Sequence, residues 1–455
     1  MNMELCPIIL CGGVGKRLWP ISTKNTPKQF VQSFNGLSLF QKTLLRVSSS
    51  FFLEPIIISS NSYAHIIKQQ ADEVKQQYIL LEEPSPRNTS PSIMLAIQYC
   101  LIKDIENCVI LPSDQLIPDE KYFLRSMKEA LTDIHKHPLT IFGVKPISSS
   151  SDYGYIKVRK TEKKSYSVEK FIEKPNVRLS KILSNRINYL WNCGIFMFTT
   201  KILSQYLSDH KHTTYIKSKK ILQDGINVDE MVWSKLKKIS FDNDVIETMQ
   251  NIRCFKYDSK WQDLGSIPSF LKEADLPKDN LKSNMIINSK NINMYNNSHS
   301  NIVVSDLSDI DIIYHEDNLL IKKSKKNNNE LFEKINKLDI QNNYKKVIRP
   351  WGWFKTLSIS DNYHVKEICV KAHNKLSLQT HKKRRENWLV LQGTATVIRE
   401  KEKYLLKKNE SIQIDINQKH RLENNTSKDI FLIEIQTGTY FGEDDIIRYT
   451  NIQND

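Results

Sequence analysis

Short apolar runs alternate with longer amphipathic stretches over the first 270 residues. The runs lie at 8–10, 56–58, 109–111 and 141–142. This alternation is typical of a β-sheet covered by helices. Several runs end in glycine, proline or aspartate, which places polar groups at the carboxyl ends of strands, where open α/β sheets bind ligands. We predict an α/β, Rossmann-like domain with a mixed, mostly parallel sheet over residues 4–270.

The pattern changes twice after residue 270. Residues 271–345 are rich in asparagine, with apolar islands at 285–287, 302–304 and 309–314, which indicates either short strands or a loose linker. Residues 346–455 alternate in short segments separated by turn residues. This last part predicts an all-β barrel or sandwich. The chain is therefore expected to contain two folded domains joined by an asparagine-rich connector.

Composition limits the functions that this chain can have. No apolar run approaches the roughly 18 residues of a membrane span, and the N-terminus has no signal pattern, so we expect a cytoplasmic protein with no membrane partner. The net charge is +15, but the lysines are spread along the whole chain, which argues against a nucleic-acid partner. Seven cysteines without a CxxC pair indicate reduced thiols. Small phosphorylated substrates fit this charge better.

A glycine-rich turn follows the first predicted strand. The backbone of Leu10, Gly12, Gly13 and Gly15 could approach an anion closely, and Lys16, Arg17 and Lys28 add cations that suit a triphosphate. The turn fits neither the Rossmann nor the Walker pattern, because Leu18 and Arg17 stand where those patterns need glycine and serine or threonine. A glycine turn flanked by solvated basic residues is the alternative interpretation.

The turn and the motifs after it resemble the mannose-1-phosphate guanylyltransferase branch of the sugar-phosphate nucleotidylyltransferases. The matching motifs follow one another in order and cover most of residues 7–270: Gly-Gly-x-Gly-x-Arg-Leu-x-Pro, Pro-Lys-Gln, Arg-Asn-Thr, Leu-Pro-Ser-Asp, Tyr-Gly-Tyr-Ile, Phe-Ile-Glu-Lys-Pro, Trp-Asn-Cys-Gly and Trp-Gln-Asp-Leu-Gly.

The resemblance implies a role for each matching residue. Arg17 and Lys28 are expected to be catalytic and to bind the triphosphate. The glycine turn, with Leu10 and Lys16, is expected to bind the nucleotide together with Arg87 and Asn88. Asp114 and Asp263 are expected to hold Mg²⁺, whose preferred ligands are hard oxygens. Gly154, Glu173, Lys174 and Asn192 are expected to bind the sugar phosphate. The alternatives are a helix cap or a turn after a strand for Asp114 and Asp263, a surface ion pair for Glu173 with Lys174, and an ordinary turn for Gly154.

Two departures concern the nucleotide side of this domain. Pro86 stands where the family usually has glycine, and Gln115 stands where it usually has histidine. Proline fixes φ near −65° and lacks a donor, so the nucleotide-side loop is expected to differ in shape. Guanine selectivity is the expectation that this weakens most.

A second set of polar residues lies near the C-terminus. Gln379 and His381 are two apart and would point to one face of a strand, and Glu386 and His420 could complete a mixed nitrogen and oxygen site for Zn²⁺ or another divalent transition metal. A pair of ordinary core histidines is the alternative.

Residues 346–451 resemble the cupin domain of type II phosphomannose isomerases. The resemblance implies that Gln379, His381, Glu386 and His420 are metal ligands and that Arg384 is a catalytic or phosphate-binding residue. Three histidines of the family pattern are replaced by Lys382, Lys383 and Asn387. Asparagine cannot act as the acid or base that a histidine could, which leaves the isomerase activity open.

The two resemblances together predict a bifunctional enzyme that acts on GTP, mannose 1-phosphate and mannose 6-phosphate. It would form GDP-mannose and interconvert mannose 6-phosphate with fructose 6-phosphate, and it could assemble as a homo-oligomer. One alternative is a monofunctional guanylyltransferase with a non-catalytic cupin. The other is an inactive sugar-nucleotide sensor.

Overall fold

The computed structural model describes residues 4–13, 15–23, 26–161, 165–274, 284–297, 302–315, 318–324, 334–335 and 346–449. Two compact units divide these residues: an N-terminal unit of 4–296, 302–313 and 320–324, and a C-terminal unit of 297, 314–315, 318–319, 334–335 and 346–449. Within the described residues, no helix is both long enough and apolar enough to cross a membrane.

The N-terminal unit is built on a nine-stranded sheet with the order β3-β2-β1-β4-β9-β6-β12-β8-β7. Its strands are β1 Cys6–Leu10, β2 Ile56–Ser60, β3 Ile79–Glu83, β4 Asn107–Pro112, β6 Leu139–Val144, β7 Tyr155–Lys160, β8 Ser165–Ile172, β9 Tyr189–Thr199 and β12 Ile252–Lys256. Two short pairs join β5 Gln115–Leu116 to β13 Gln262–Asp263, and β10 Leu222–Gln223 to β11 Asn227–Val228.

The sheet is mixed, as the sequence predicted. Strands β1 to β4 are parallel neighbours, whereas β9 is antiparallel to both β4 and β6. Strand β12 pairs parallel with β6, and β8 is antiparallel to β12 and to β7. Seven strands therefore run in one direction, and only β8 and β9 oppose them. The parallel strands end at one edge, where the glycine turn begins.

Helices α1 to α9 accompany this sheet. They span Leu39–Arg46, Ala64–Glu73, Thr89–Ile102, Glu120–Leu131, Val177–Ser184, Thr200–Asp209, Thr213–Ser218, Glu230–Ser234 and Ile267–Glu273, and a π-helix spans Asp242–Ile246. Helix α1 begins at a capping box between Ser38 and Gln41. Helix α3 is buried from Ser90 to Cys100, since its sequence is apolar on every face. All seven cysteines are buried free thiols.

Short strands form most of the described part of the asparagine-rich segment. They are β14 Asn284–Ile287, β15 Lys290–Asn297, β16 Ile302–Ser305, β17 Ser308–His315 and β18 Asn318–Lys323. Strand β14 pairs parallel with β16, and β15, β17 and β18 form a three-stranded sheet. The apolar islands of this segment therefore lie in strands.

The C-terminal unit consists of two sheets whose strand pairs are all antiparallel, with orders β19-β20-β21-β28-β23-β26 and β25-β24-β27-β22-β29. Its strands are β19 Lys346–Arg349, β20 Gly352–Ile359, β21 Tyr363–Val370, β22 Leu378–His381, β23 Arg384–Gln392, β24 Thr394–Arg399, β25 Glu402–Lys407, β26 Ser411–Ile414, β27 His420–Glu423, β28 Ile430–Gly438 and β29 Ile446–Tyr449. Both sheets contribute to one apolar core that includes Trp388, Val397 and Leu432.

Candidate active sites

The glycine turn presents open backbone at the carboxyl end of β1. Gly13 and Gly15 have φ values of +90° and +65°, which favour glycine. A Cβ atom added to Gly12 or Gly13 would meet nothing within 4 Å, so this part of the backbone is accessible to a ligand. The buried Gln29 amide donates to the carbonyl oxygens of Cys11 and Gly13, at 3.4 and 3.3 Å, and thereby fixes the turn.

The end of β4 is tied to the end of β1. The Ser113 amide and hydroxyl both donate to the Leu10 carbonyl oxygen, at 3.2 and 2.8 Å. Asp114 follows directly, so its carboxylate lies close to the glycine turn. The short antiparallel pair of β5 and β13 then places Asp263 opposite Gln115. Two carboxylates separated by about 150 positions in sequence meet at this edge.

Lys28 joins these two carboxylates. Its Nζ atom lies 2.9 Å from Asp114 Oδ2 and 3.0 Å from Asp263 Oδ1, and the residue is only 4% exposed. Burial lowers the pKa of Lys28, but the two carboxylates outweigh burial and hold this pKa above its ordinary value. The ammonium is therefore a fixed positive charge. We call Lys28, Asp114 and Asp263 the lysine–carboxylate cluster.

Arg17 lies at the exposed side of the lysine–carboxylate cluster. Its Nη1 atom is 3.2 Å from Asp152 Oδ1, and its side chain is 49% exposed. A Cβ atom built on Gly265 would lie 3.2 Å from Arg17 Nη2 and 3.5 Å from Asp263 Oδ2, so the guanidinium and this carboxylate approach the same small space. Lys16 begins the short turn Lys16–Leu18, but its side chain is outside the described atoms.

The four residues expected on the sugar side form a second group in this unit. Glu173 accepts from Lys174 Nζ at 2.7 Å, and its other oxygen would be 2.7 Å from a Cβ atom on Gly154. The backbone amide of Asn192 donates to the Gly154 carbonyl oxygen at 2.8 Å. Gly154 therefore lies closely packed against the Glu173 side chain.

Sequence reasoning missed Asp242, which completes this group. Asn192 Nδ2 donates to Asp242 Oδ1 at 2.7 Å, and the Gly194 amide donates to Asn192 Oδ1 at 3.1 Å. Burial, with a contribution from the charge of Glu173, raises the pKa of Asp242 to about 6. Asp242 lies in the polar run Asp242-Asn243-Asp244, so nothing in the sequence distinguishes it from its neighbours.

Gln115 links the lysine–carboxylate cluster to the sugar side. Its Oε1 atom accepts from Trp261 Nε1 at 2.9 Å, and its Nε2 atom donates to the Cys193 carbonyl oxygen at 2.6 Å. Tyr153 packs on Trp261 and Trp191 with ring centroids 5.5 and 4.8 Å away. Burial, together with the charge of Asp263, raises the pKa of Tyr153 to about 12. The glutamine that replaces a family histidine is therefore a structural connector.

The loop with the two remaining nucleotide candidates packs on the segment 233–241. Arg87 Nη1 donates to the Leu236 carbonyl oxygen at 2.7 Å, and Asn88 has φ of +67° and caps helix α3. Trp233 Nε1 donates to the Ser85 carbonyl oxygen at 2.9 Å. These bonds fix the shape of the loop around Pro86. They give Arg87 and Asn88 structural roles whether or not they touch a nucleotide.

The second candidate site lies in the C-terminal unit. His381, Glu386 and His420 bring their ligand atoms within 4.8 Å of one another, and all three are buried. His381 Nε2 is 3.0 Å from Glu386 Oε1 and 3.1 Å from His420 Nε2. Gln379 pairs directly with His420 across β22 and β27, and its amide lies 3.4 Å from His420 Nε2. The structure thus brings together all four residues that the sequence singled out.

Hydrogen bonds orient this group. His420 Nδ1 is 2.9 Å from the Gln418 carbonyl oxygen, so Nδ1 carries the proton and Nε2 keeps its lone pair. Burial lowers the pKa of His420, although the charge of Glu386 opposes this effect. For Glu386, burial raises the pKa, but His381, His420 and Arg384 outweigh it and lower the pKa. A neutral imidazole next to an ionised carboxylate is the state that a metal requires.

Further polar residues on the same inner face were missed. Trp388 Nε1 donates to both Glu386 and Glu434, at 3.1 Å each, and Gln436 Nε2 donates to the same two carboxylates at 3.0 and 2.9 Å. Lys366 lies opposite Glu434 across β21 and β28 and is 3.4 Å from it. The sequence did carry a signal for Glu434 and Gln436: both are polar residues at the positions of β28 that alternate with exposed ones and are buried.

The replaced histidine positions lie outside this group. In β23, Arg384, Glu386 and Trp388 are buried, whereas Asn387 is exposed and points to the opposite face. Lys382 and Lys383 are also exposed, and their backbone amides donate to Asp445 at 3.3 and 3.2 Å. The loss of these three histidines therefore leaves the buried ligand group intact.

Comparisons with known proteins cover both units. The nucleotidyl transferase family model matches residues 6–280, and the model for the C-terminal part of mannose-6-phosphate isomerase matches residues 336–451. The mannose-1-phosphate guanylyltransferase RfbM of Salmonella typhimurium is 32% identical, over 98% of this chain and 97% of that protein. The xanthan biosynthesis protein XanB of Xanthomonas campestris is 31% identical, over 98% of both chains.

The fold of a solved structure agrees with these matches. The crystal structure of a mannose-1-phosphate geranyltransferase from Thermus thermophilus covers 74% of this chain and 99% of its own, with a TM-score of 0.62. Its sequence identity is 21%, so the likeness concerns the fold alone.

Proposed function

This chain belongs to the mannose-1-phosphate guanylyltransferases with a mannose-6-phosphate isomerase C-terminal domain, and we propose that it transfers GMP from GTP to mannose 1-phosphate. GDP-mannose and pyrophosphate are the products. The observation that carries the proposal is the lysine–carboxylate cluster beside the open glycine turn, with Lys28 Nζ 2.9 and 3.0 Å from the two carboxylates.

The reaction joins two anions. A phosphate oxygen of mannose 1-phosphate attacks the α-phosphorus of GTP, a new phosphorus–oxygen bond forms, and the bond to the β-phosphate oxygen breaks to release pyrophosphate. The sugar phosphate is already ionised, so no base is required. Positioning and cationic stabilisation are the main needs. Lys28 and Arg17 supply the positive charge, and the backbone from Leu10 to Gly15, with Lys16, cradles the triphosphate.

Asp114 and Asp263 would hold Mg²⁺. Both carboxylates reach one ammonium nitrogen, so they are close enough to share one ion, and carboxylate oxygens are the ligands that Mg²⁺ prefers. When bound, the ion neutralises phosphate oxygens at the point of attack. Lys28 keeps the two carboxylates together and limits their mutual repulsion.

In this proposal, different residues recognise the sugar and the nucleotide base. Glu173 and Asn192 accept and donate hydrogen bonds to sugar hydroxyls, Lys174 meets the sugar phosphate, and Gly154 allows the close approach. Arg87 and Asn88 shape the nucleotide side through their bonds to Leu236 and helix α3. Selectivity for guanine is proposed from the family relationship.

Pyrophosphate release from GTP and mannose 1-phosphate tests the transferase. Asp114→Ala is expected to lower kcat at least 100-fold, because one oxygen ligand and its charge are lost. Asp104→Ala is the matched control, since Asp104 is exposed and pairs only with the surface residue Lys201 among its described ion pairs. Wild-type rates in Asp114→Ala would refute the metal assignment. Parallel assays with ATP and dTTP test the choice of base.

For the C-terminal unit we propose a cupin barrel that interconverts mannose 6-phosphate and fructose 6-phosphate. His381, Glu386 and His420 fit a divalent transition metal such as Zn²⁺: tetrahedral coordination places neighbouring ligand atoms about 3.4 Å apart, and the observed separations are 3.0, 3.1 and 3.7 Å. Gln379, which pairs with His420 across the two strands, would offer its amide oxygen as the fourth ligand. When bound, the metal polarises the sugar carbonyl. Arg384 lines the cavity and stabilises the charge that develops on the sugar oxygens.

Conversion of fructose 6-phosphate to mannose 6-phosphate, with and without a chelator, tests this second activity. Activity that the chelator removes and Zn²⁺ or another divalent metal restores is the expected result. If the chain is a monofunctional transferase with a non-catalytic cupin, fructose 6-phosphate should not be converted with any metal. If the chain is an inactive sensor, it should catalyse neither this conversion nor pyrophosphate release. Retention of Arg17 and of the lysine–carboxylate cluster argues against the sensor.

The wider organisation follows from the same proposal. We propose a transferase domain over 4–270, a connector over 271–345 and a cupin domain over 346–455. The cytoplasmic location and the assembly into a homo-oligomer stay predictions.

A further inference from the structure

A cavity of about 300 Å³ opens beside the buried ligand group of the C-terminal unit. Two of the proposed metal ligands, Gln379 and Glu386, line it, and so do four cationic side chains, Arg349, Lys366, Arg384 and Arg448. The lining holds these four cations but only three carboxylates, Glu386, Glu434 and Glu443, so the side chains around the cavity carry a net positive charge.

Two of the four cations, Arg384 and Lys366, are paired with the buried carboxylates Glu386 and Glu434. Arg384 is 2% exposed, with Nε 3.4 Å from Glu386 Oε1 and Nη1 donating to the Gly442 carbonyl oxygen at 3.1 Å. Lys366 is 3.4 Å from Glu434, and its side chain is 12% exposed. Both cations are held beside these carboxylates, so Arg384 stays next to the proposed metal ligands and the sugar oxygens, and neither cation is free to bind the phosphate group.

Arg349 and Arg448 are arranged differently. Their side chains are 41% and 50% exposed, and the described ion pairs of both go to one carboxylate, Glu443, at 4.0 and 2.8 Å. Two guanidinium groups therefore converge on one exposed carboxylate at the cavity. The pair carries a net positive charge after Glu443 is counted, and guanidinium forks suit a phosphate dianion.

The strand register connects this pair to the proposed metal group. Gln379 in β22 has His420 as its neighbour in β27 and Arg448 as its neighbour in β29. Directly opposed residues project to the same face of a sheet. Arg448 thus projects from the same inner face as the metal ligands, one strand away, and one small molecule in the cavity can reach both.

We propose that Arg349 and Arg448 form the subsite for the phosphate group of a hexose 6-phosphate, and that Glu443 competes with this phosphate for both guanidinium groups. The proposal rests on the isomerase function proposed above. It assigns to Arg349 and Arg448 the phosphate contact that the sequence left open for Arg384. Glu443 keeps the two arginines together and sets how tightly the phosphate binds.

Titration calorimetry of the full-length protein in a chelator tests the subsite without turnover, with fructose 6-phosphate and fructose as probes. Arg448→Gln and Arg349→Gln are each expected to weaken fructose 6-phosphate binding on the order of 10- to 100-fold, which is typical for the loss of a charge-assisted contact. Glu443→Gln is expected to strengthen it about 3- to 10-fold by removing the competitor. Fructose binding should not differ among the variants.

Arg125→Gln is the matched control, since Arg125 is an exposed arginine paired with a glutamate in the N-terminal unit. Wild-type affinity in both arginine variants, or weaker binding in Glu443→Gln, would overturn the subsite. If the wild-type protein binds fructose 6-phosphate through these residues but does not convert it when metal is restored, the isomerase function fails and the subsite stands.

Discussion

Single residues show which side chains act on substrate and which act through a neighbour. Asn192 could bind a sugar hydroxyl directly, but its amide is oriented by Asp242 at 2.7 Å and by the Gly194 backbone at 3.1 Å. An amide has two distinct ends, and only a fixed orientation presents a chosen donor or acceptor. Asp242 therefore fixes the orientation of the Asn192 amide.

Removal of the Asp242 carboxylate should impair the binding of one substrate only. We expect Asp242→Ala to raise KM for mannose 1-phosphate about 10-fold, the equivalent of losing one buried hydrogen bond, while KM for GTP stays unchanged. Asp242→Asn retains an acceptor oxygen and should have a smaller effect. Steady-state kinetics with each substrate varied in turn would measure this, and an equal rise in both KM values would contradict the positioning role.

A buried carboxyl at the end of β3 makes stability depend on pH. Burial, only partly offset by a hydrogen bond from Ser92, raises the pKa of Glu83 from 4.5 to about 7. The folded protein therefore binds this proton more tightly than the unfolded chain. The Glu83 carboxyl therefore contributes fully to the free energy of unfolding below about pH 4.5, and this contribution is lost as pH rises towards 7.

Glu83→Gln should remove the loss of stability that ionisation of Glu83 causes at high pH. A shift of this size corresponds to about 3 kcal/mol of unfolding free energy at pH 8, and the glutamine can still accept from Ser92. We expect the variant to be more stable than wild type at pH 8 and close to it at pH 4.5, as measured by urea unfolding. Glu82→Gln, at the exposed neighbouring position, is the control. An equal stability difference at both pH values would show that the carboxyl charge is not responsible.

The transferase site is formed by several secondary-structure elements together, not by one sequence motif. The glycine turn after β1, the end of β4 and the short β5–β13 pair each contribute one part, and Lys28 contacts all of them. A Cβ atom on Gly15 would lie 2.6 Å from Lys28 Cβ, so the turn and the lysine are packed with no space between them. The turn therefore sets the position of Lys28.

Gly15→Ala should displace Lys28, whereas Gly36→Ala should not. Both glycines have positive φ, +65° and +72°, so both alanine variants carry a similar backbone strain of about 1–2 kcal/mol. Only the Gly15 variant also has a clash, because an added Cβ atom at Gly36 meets nothing within 4 Å. We expect kcat for pyrophosphate release to be at least 10-fold lower in Gly15→Ala than in Gly36→Ala. Equal rates in the two variants would show that the packing is unimportant.

Sequence patterns anticipated elements better than they anticipated contacts between elements. Apolar runs located β1, β2, β4 and β6, because a short buried run needs no partner to be recognised. The place of β9 between β4 and β6, antiparallel to both, depends on pairing between distant segments and has no local signal. Asp242 and Glu434 were missed for the same reason, since each is meaningful only beside a partner far away in sequence.

The whole molecule carries its two sets of candidate residues in separate units. The lysine–carboxylate cluster lies entirely in the N-terminal unit, and His381, Glu386 and His420 lie entirely in the C-terminal unit. Sites that share no residue and no hydrogen-bonded partner usually respond independently to mutation. The two proposed activities should therefore be separable by single substitutions in the full-length chain.

His381→Ala should abolish the chelator-sensitive conversion of fructose 6-phosphate, because a buried metal ligand is lost, and should leave pyrophosphate release within about 2-fold of wild type. Asp114→Ala should show the reverse pattern. The two assays on the same preparations measure both effects, and zinc content by atomic absorption shows whether His381→Ala has lost metal. If either substitution reduced both activities while the protein remained folded, the sites would be coupled and their independence would be wrong. Because each variant is the positive control for the other, a general loss of folding cannot produce the reciprocal pattern.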